Sequence, residues 1–190
     1  MYEVRIHGRG GQGAVLMGSM LAAALVAEGK FVVAVPSFGF ERRGAPVATY
    51  LRCDEREIRQ MTNIYRPNCV VCIDPTVARA VNIFEGLRDD GVLVQTTAKG
   101  LEELRLSEQV KTVGLCDAVA IALDIFKRPI TNTIMLGALA RTTGLVSLEA
   151  LRHAVRESDF RDAGLQQNLE ALERGYEGTQ VHTLARQELA

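Results

Sequence analysis

The sequence predicts an α/β fold: a single three-layer α/β/α domain around a mixed, mostly parallel sheet, with a Rossmann-like first β-α-β unit and a helical C-terminal part. Three observations carry this. Short β-branched runs alternate with helical spacing in the first part of the chain, helical patterns dominate from Asp117 onward, and a turn of pattern Gly8-x-Gly10-x-x-Gly13 separates the first strand from the first helix. With 190 residues the chain is the size of one domain, assigned here to residues 1–177, with 178–190 as a C-terminal tail.

The elements follow in order. Tyr2 to His7 reads as a strand running into the glycine turn. Ala14 to Glu28 reads as a helix, because Leu16, Met20, Leu21, Ala24 and Leu25 recur at helical spacing and Gly29 stops it. Phe31 to Val35 is a continuous apolar run suited to a buried strand. Val47 to Arg52 is the next strand; a connection of roughly ten residues is too short for a parallel crossover, so these two strands should pair antiparallel. Cys69 to Ile73, Gly91 to Gln95 and Val110 to Cys116 read as further strands, with a helix from Asp74-Pro75 through Leu87. Asp117 to Phe126, Thr131 to Thr143, Ser147 to Glu157 and Ala163 to Tyr176 read as helices, Ser147 being an N-cap. The last dozen residues carry little pattern and suit an arm that orders against a partner.

A net charge of −1 gives no general attraction to nucleic acid or anionic lipid, so an anion site must be built locally. No apolar run reaches the ~18 residues of a membrane span, and Met1-Tyr2-Glu3 opens into a strand rather than a signal peptide. A cytoplasmic protein with free thiols at its four cysteines is expected.

Glycines between a strand and a helix let main-chain N–H groups approach a phosphate or carboxylate at the helix N-terminus. They also permit plain close packing, and both readings stand for an isolated match. Arg9 and Gln12 within the turn favour a ligand, since they would project polar groups at the same mouth. A nicotinamide site also needs an acidic residue at the end of the second strand, where this chain has Val35-Pro36-Ser37. A free-standing nicotinamide or flavin enzyme is therefore the second reading, and a purely structural subunit the third.

Ser37-Phe38-Gly39-Phe40-Glu41-Arg42-Arg43-Gly44-Ala45-Pro46 leaves the carboxyl end of that strand, where loops line the crevice of an open α/β sheet. Arg42 and Arg43 offer forked donors to an anion, and Glu41 can hold one of them in place. A solvated loop with a routine ion pair is the plain alternative. Two phenylalanines suit instead a surface that another subunit covers.

GRGGQG followed by PSFGFERRGAPV resembles the gamma subunit, or gamma-type domain, of the 2-oxoacid:ferredoxin oxidoreductases. The similarity continues through Ile73-Asp74-Pro75-Thr76, Pro129 to Ala138 and Asn168 to Tyr176. The resemblance implies a subunit, inactive alone, of a complex that converts a 2-oxo acid and CoA to acyl-CoA and CO2. Thiamine diphosphate, Mg²⁺ and [4Fe-4S] clusters are expected on alpha-, beta- and ferredoxin-like delta subunits, with ferredoxin or another acceptor taking the electrons. It implies no cofactor on this chain alone; no nucleic acid and no membrane span are expected from the charge and hydropathy given above. Gly8, Arg9, Gly10, Gly11, Gln12, Gly13, Ser37, Phe38, Gly39, Glu41, Arg42, Arg43, Gly44 and Asn132 are the positions it places at the CoA or active-site face. The chain has no Gly-Asp-Gly and no C-x2-C-x2-C-x3-C run, the patterns of a thiamine diphosphate site and a cluster.

Cys69-Val70-Val71-Cys72 has metal-like spacing, but strand alternation sends its two thiols to opposite faces. Cys116, before a helix N-terminus, is the one thiol whose position suits a lowered pKa. His7 near the crevice reads as a hydrogen-bonded structural residue rather than a base. At Asn132, helix capping and ligand contact compete evenly.

Overall fold

The computed structural model describes residues 1–37, 44–160 and 164–185, with Ser37 as backbone. Tyr2–Arg9 (β1) alternates as a half-buried strand should: Val4 and Ile6 enter one apolar layer, while Glu3, Arg5 and His7 are buried on the other face. Ala14–Ala27 (α1), Phe31–Ser37 (β2), Pro46–Asp54 (β3), Cys69–Cys72 (β4), Gly91–Thr96 (β5) and Val110–Cys116 (β6) follow. Then come Ala118–Phe126 (α2), Asn132–Thr143 (α3), Leu148–Arg156 (α4), Leu165–Glu177 (α5) and Gln180–Thr183 (β7). Ser147 caps α4, its hydroxyl accepting the Ala150 N–H at 3.1 Å.

The strands form one mixed sheet in the order β2-β3-β1-β4-β5-β6-β7. β2 and β3 pair antiparallel, as the short connection demands. The first β-α-β unit is present, β1 and β2 running parallel with α1 between them, but it does not set its two strands side by side, because β3 takes the slot next to β1. A hairpin return fills that slot at no cost in connecting chain. Nor is the sheet mostly parallel in its pairings: β1–β4, β4–β5 and β5–β6 are parallel, whereas β1–β3, β2–β3 and β6–β7 are antiparallel. β7 forms from residues read as patternless tail.

The two faces of the sheet are covered differently. All five α-helices share one apolar cluster on one face, joining Met17, Leu21, Leu136, Leu151 and Leu172 to Ile6, Leu51 and Val71 of the sheet. The helix α5 lies close on α3, where a Cβ at Gly137 would strike the Leu172 carbonyl. The opposite face carries a second cluster of Val70, Leu93, Val113 and Leu115, covered by irregular chain around Val77, Ile83 and Leu104.

The helix expected from Asp74 to Leu87 is a single 3₁₀ turn, Val77–Arg79, followed by irregular chain. Arg5 supplies the reason. Its guanidinium takes the carbonyls of Ile83 at 2.9 Å and Glu85 at 2.7 Å, and Asn82 Oδ1 accepts the Phe84 N–H at 3.1 Å. The Ile83 carbonyl and the Phe84 N–H, which a helix would pair internally, are spent on a side chain from β1 and on a local Asx turn. Arg52 secures residues 62–63 in the same way, donating to the carbonyls of Thr62 and Asn63 while paired with Glu3 at 2.9 Å.

Candidate functional site

β1 ends at the glycine turn and α1 begins after it. Gly13, the residue before α1, holds φ +81° and gives the helix no side-chain cap. Met17 is bonded to the Gly13 carbonyl at 2.9 Å, so the amides of Ala14, Val15 and Leu16 precede the first intrahelical bond. No acidic residue occupies the first turn of α1. Its amide end therefore stays available to an anion, with the helix dipole behind it.

The turn opens on a cavity of about 830 Å³. Gly10, Gly11 and Gly13 form one wall. Leu16, Ile130 and Phe160 form an apolar one, and Asn132 and Asn168 contribute carboxamides. Arg9, Gln12 and Gly44 also line it, with Arg128, Pro129 and Asp159 completing the boundary. Gly8 is not a lining residue; it packs against Ile73, where a Cβ would lie 2.7 Å from the Ile73 side chain.

The turn and the end of the arginine loop meet through the main chain. Gly10 N–H donates to the Ala45 carbonyl at 2.9 Å, and Gly44 N–H donates to the Gly10 carbonyl at 3.1 Å. Ser37 closes β2 opposite Ala48. Phe38, Gly39, Glu41, Arg42 and Arg43 lie outside the described residues.

Arg9 and Gln12 act differently from the expectation that they project freely at the mouth. Arg9 Nε donates to Thr76 Oγ1 at 2.9 Å, its Nη1 to the Gly44 carbonyl at 2.9 Å, and it pairs with Asp74 at 3.4 Å. Gln12 accepts the Arg9 N–H and donates to Asp74, both at 2.7 Å. Burial alone would raise the Asp74 pKa, but hydrogen bonds from Thr76 and Gln12 and the charge of Arg9 hold it below the usual value. These groups brace the turn from the β4 side.

Asn132 does not cap α3; it is the first helical residue, and Thr131 precedes it as N-cap. The Thr131 hydroxyl donates to the Ile73 carbonyl at 3.2 Å, tying this helix start to the end of β4. Asn132 is 4% exposed, and its Oδ1 is buried without a hydrogen-bond partner. Asn168 is bonded at both ends of its carboxamide, accepting from Thr133 Oγ1 at 2.9 Å and donating to the Gly164 carbonyl at 3.0 Å. Its role at the cavity was not singled out from the sequence, although a polar residue on the apolar face of α5 was the available signal.

His7 faces the loop-covered side, away from this cavity, and its Nε2 accepts from Arg5 Nε at 2.9 Å. Burial, then the Arg5 charge, pushes its pKa down to about 4. The expectation for Cys116 is overturned: burial raises its pKa. Cys69 and Cys72 enter the apolar clusters on opposite faces of the sheet. Among the described residues no group of three or more His, Cys, Asp or Glu is placed to hold a metal. Among them, too, no helix is long and apolar enough to cross a membrane.

Residues 3–178 match the family model described as pyruvate ferredoxin/flavodoxin oxidoreductase. The chain belongs to that family. It is similar to the NADH-dependent phenylglyoxylate dehydrogenase subunit gamma of Aromatoleum evansii, 63% identical over the full length of both chains. It is also similar to the pyruvate/ketoisovalerate oxidoreductases common subunit gamma of Pyrococcus furiosus, 45% identical over 97% of this chain and all of that one. Among solved structures, the pyruvate oxidoreductase subunit PORC of Thermotoga maritima superposes with a TM-score of 0.81 at 40% identity, over 95% of this chain and 97% of that one. The chain is thus a gamma-type subunit of the 2-oxoacid oxidoreductase family. In this chain the glycine turn serves a sheet in which β3 occupies the place next to β1, so the end of β2 lies one strand farther away than in a dinucleotide fold.

Proposed function

We propose that this chain is the gamma subunit of a thiamine-diphosphate-dependent complex that oxidatively decarboxylates an aryl 2-oxo acid of the phenylglyoxylate type. CoA is the acyl acceptor, and acyl-CoA and CO2 are the products. The 63% identity to a phenylglyoxylate dehydrogenase gamma subunit over the whole chain, against 45% to a pyruvate/ketoisovalerate one, favours the aryl substrate. Thiamine diphosphate with Mg²⁺ and the [4Fe-4S] clusters belong to alpha-, beta- and ferredoxin-like subunits, which pass electrons to ferredoxin or another acceptor. Cys69 and Cys72 open onto opposite faces and do not fit a shared cluster.

One observation carries the role of this subunit: the uncapped amide end of α1 faces the 830 Å³ cavity and is braced from below by Arg9, Gln12 and Asp74. Such a surface holds an anionic group of CoA or of the 2-oxo acid at the face that the other subunits complete. Arg42 and Arg43 add guanidinium donors to the same anion. By covering the site the subunit excludes water and times the entry of CoA.

The test is steady-state turnover of the purified complex with a dye acceptor. Phenylglyoxylate should exceed pyruvate and 2-oxoisovalerate in kcat/KM, and Arg42→Ala should impair acyl-CoA formation in a complex that still assembles. Preference for pyruvate would reject the aryl assignment, and unchanged kinetics of the arginine variant would reject the anion role.

A further inference from the structure

Among the described residues the sheet has two open edges, β2 and β7, and they differ in kind. β7 is four residues long and carries one apolar side chain, Val181. A short, polar edge of that sort discourages pairing with other chains. β2 is seven residues long, and its run Phe31-Val32-Val33-Ala34-Val35 holds no charge. Phe31 is 49% exposed. Lys30, which stands where an edge is commonly guarded by a charge, is tied back. Its Nζ donates to the Leu145 carbonyl at 2.8 Å and lies 3.9 Å from Glu28. The helix α1 packs on β2 and has no charged residue from Ala14 to Ala27, although Ala23 and Val26 are exposed on it. A helix apolar all round and a long apolar edge both belong to covered surface.

Pro36 fixes what this edge offers. In an antiparallel ladder alternate residues turn their N–H and C=O groups outward. Pro36, opposite Thr49, has no N–H and takes a place in the outward set, with Val32 and Ala34. Val33, opposite Arg52, turns its groups inward to β3. The outward donors are therefore the N–H groups of Val32 and Ala34. A twofold axis at Val33 satisfies both: Val32 meets the partner's Ala34 and Ala34 meets the partner's Val32, in four main-chain bonds. An axis at Ala34 would set the Pro36 ring against a Val32 carbonyl. We infer that β2 is a joint between two copies of this chain, paired antiparallel about Val33, so that their sheets run on as one. No like charges meet across it, and Phe31 of one copy lies beside Val35 of the other on one face. The strand and the helix α1 run about 23 Å and 21 Å. A joint of that length and two layers deep buries on the order of 700 Å² per copy, close to a standard interface. This joint stands whatever ligand the glycine turn takes.

The test is cross-linking in the purified complex and in the isolated full chain. Val33 faces the partner's Val33 as a pair without mutual hydrogen bonds, whose Cα atoms come to about 4.5 Å, within reach of a disulfide. All four native cysteines are buried. Mild oxidation of Val33→Cys should therefore link two copies of this chain while the parent stays unlinked. Phe31→Cys should not link to itself, but should link to Val35→Cys when the two variants are mixed. A link of Phe31→Cys to itself overturns the register. A link from the Val33→Cys chain to a different subunit overturns the second copy in favour of a companion strand, and no link at all overturns the joint. Should Val33→Cys fail to fold, Ala34→Pro removes one outward donor and no donor to β3. By sedimentation equilibrium it should weaken self-association of the isolated chain at least about tenfold, since two bonds are lost across the axis. Val181→Lys, on the other edge, should leave association unchanged. Equal effects at the two edges, or a chain that is monomeric throughout, overturn the joint.

Discussion

The Asn132 carboxamide lies directly against Gly13: a Cβ at residue 13 would sit 2.5 Å from Asn132 Nδ2. Gly13 also holds φ +81°, where any other L-residue is strained. Two demands meet at one glycine, one from the chain's own conformation and one from a neighbour on α3. Gly13→Ala should therefore cost more than Gly29→Ala, which has φ +82° but no atom within 4 Å of its added Cβ. Conformational strain alone accounts for about 1–2 kcal/mol at each site. Thermal denaturation of both variants should show the residue 13 substitution lower by several degrees more; equal midpoints would mean that Asn132 yields freely.

Arg5 is the bolt between β1 and the irregular chain beneath it, through the carbonyls of Ile83 and Glu85. Arg5→Leu should destabilise the fold by about 3 kcal/mol, since buried carbonyls lose their charged donor. Arg5→Lys should recover little, because an ammonium cannot fork to several acceptors while also reaching His7. Urea denaturation gives the magnitude, and hydrogen exchange across residues 76–88 should rise first.

His7 makes stability depend on pH. Its folded pKa, about 4, lies below the ordinary value of 6.5, so the unfolded chain binds the proton more readily. The contribution of neutral His7 is complete above pH 6.5 and declines as pH falls toward 4, by about 2–3 kcal/mol. His7→Gln, which keeps an acceptor for Arg5, should flatten the urea midpoint between pH 7.5 and 4.5 relative to the parent. Parallel slopes for the two proteins would assign the pH dependence elsewhere.

All four cysteines are buried, and burial pushes Cys72 up to about 12 and raises Cys53, Cys69 and Cys116. A thiol-disulfide reagent at pH 8 should find almost no reactive thiolate in the native chain and four equivalents after denaturation. Rapid titration of one equivalent in the native state would point to Cys116, the thiol beside the α2 N-terminus.

Much of the first half of the fold is legible locally. Gly8, Gly10 and Gly13 mark the strand-to-helix turn, Gly29 marks the end of α1, and the short link before Pro46 dictates a hairpin. What is not legible depends on distant partners. Nothing within residues 76–87 reveals that Arg5 will claim the Ile83 and Glu85 carbonyls and leave one 3₁₀ turn. Likewise, Gln180–Thr183 looks featureless until Thr112–Leu115 offers it an open edge. The site divides in the same way. The placing of Asn132 on the same face as the turn came from the family resemblance alone, whereas the commitment of Arg9 and Gln12 to Asp74 and Thr76 was not available at all. Donors written side by side with glycines advertise a ligand equally well whether they face it or hold the turn in place.

The reciprocal main-chain bonds joining Gly10 to Gly44 and Ala45 fix where the arginine-bearing segment comes back to the sheet. The glycine turn is therefore held from two directions, by β1 that runs into it and by the chain returning beside it into β3. The amide surface at the start of α1 is thus anchored by main-chain bonds on its flank, with no side chain needed to keep it in register.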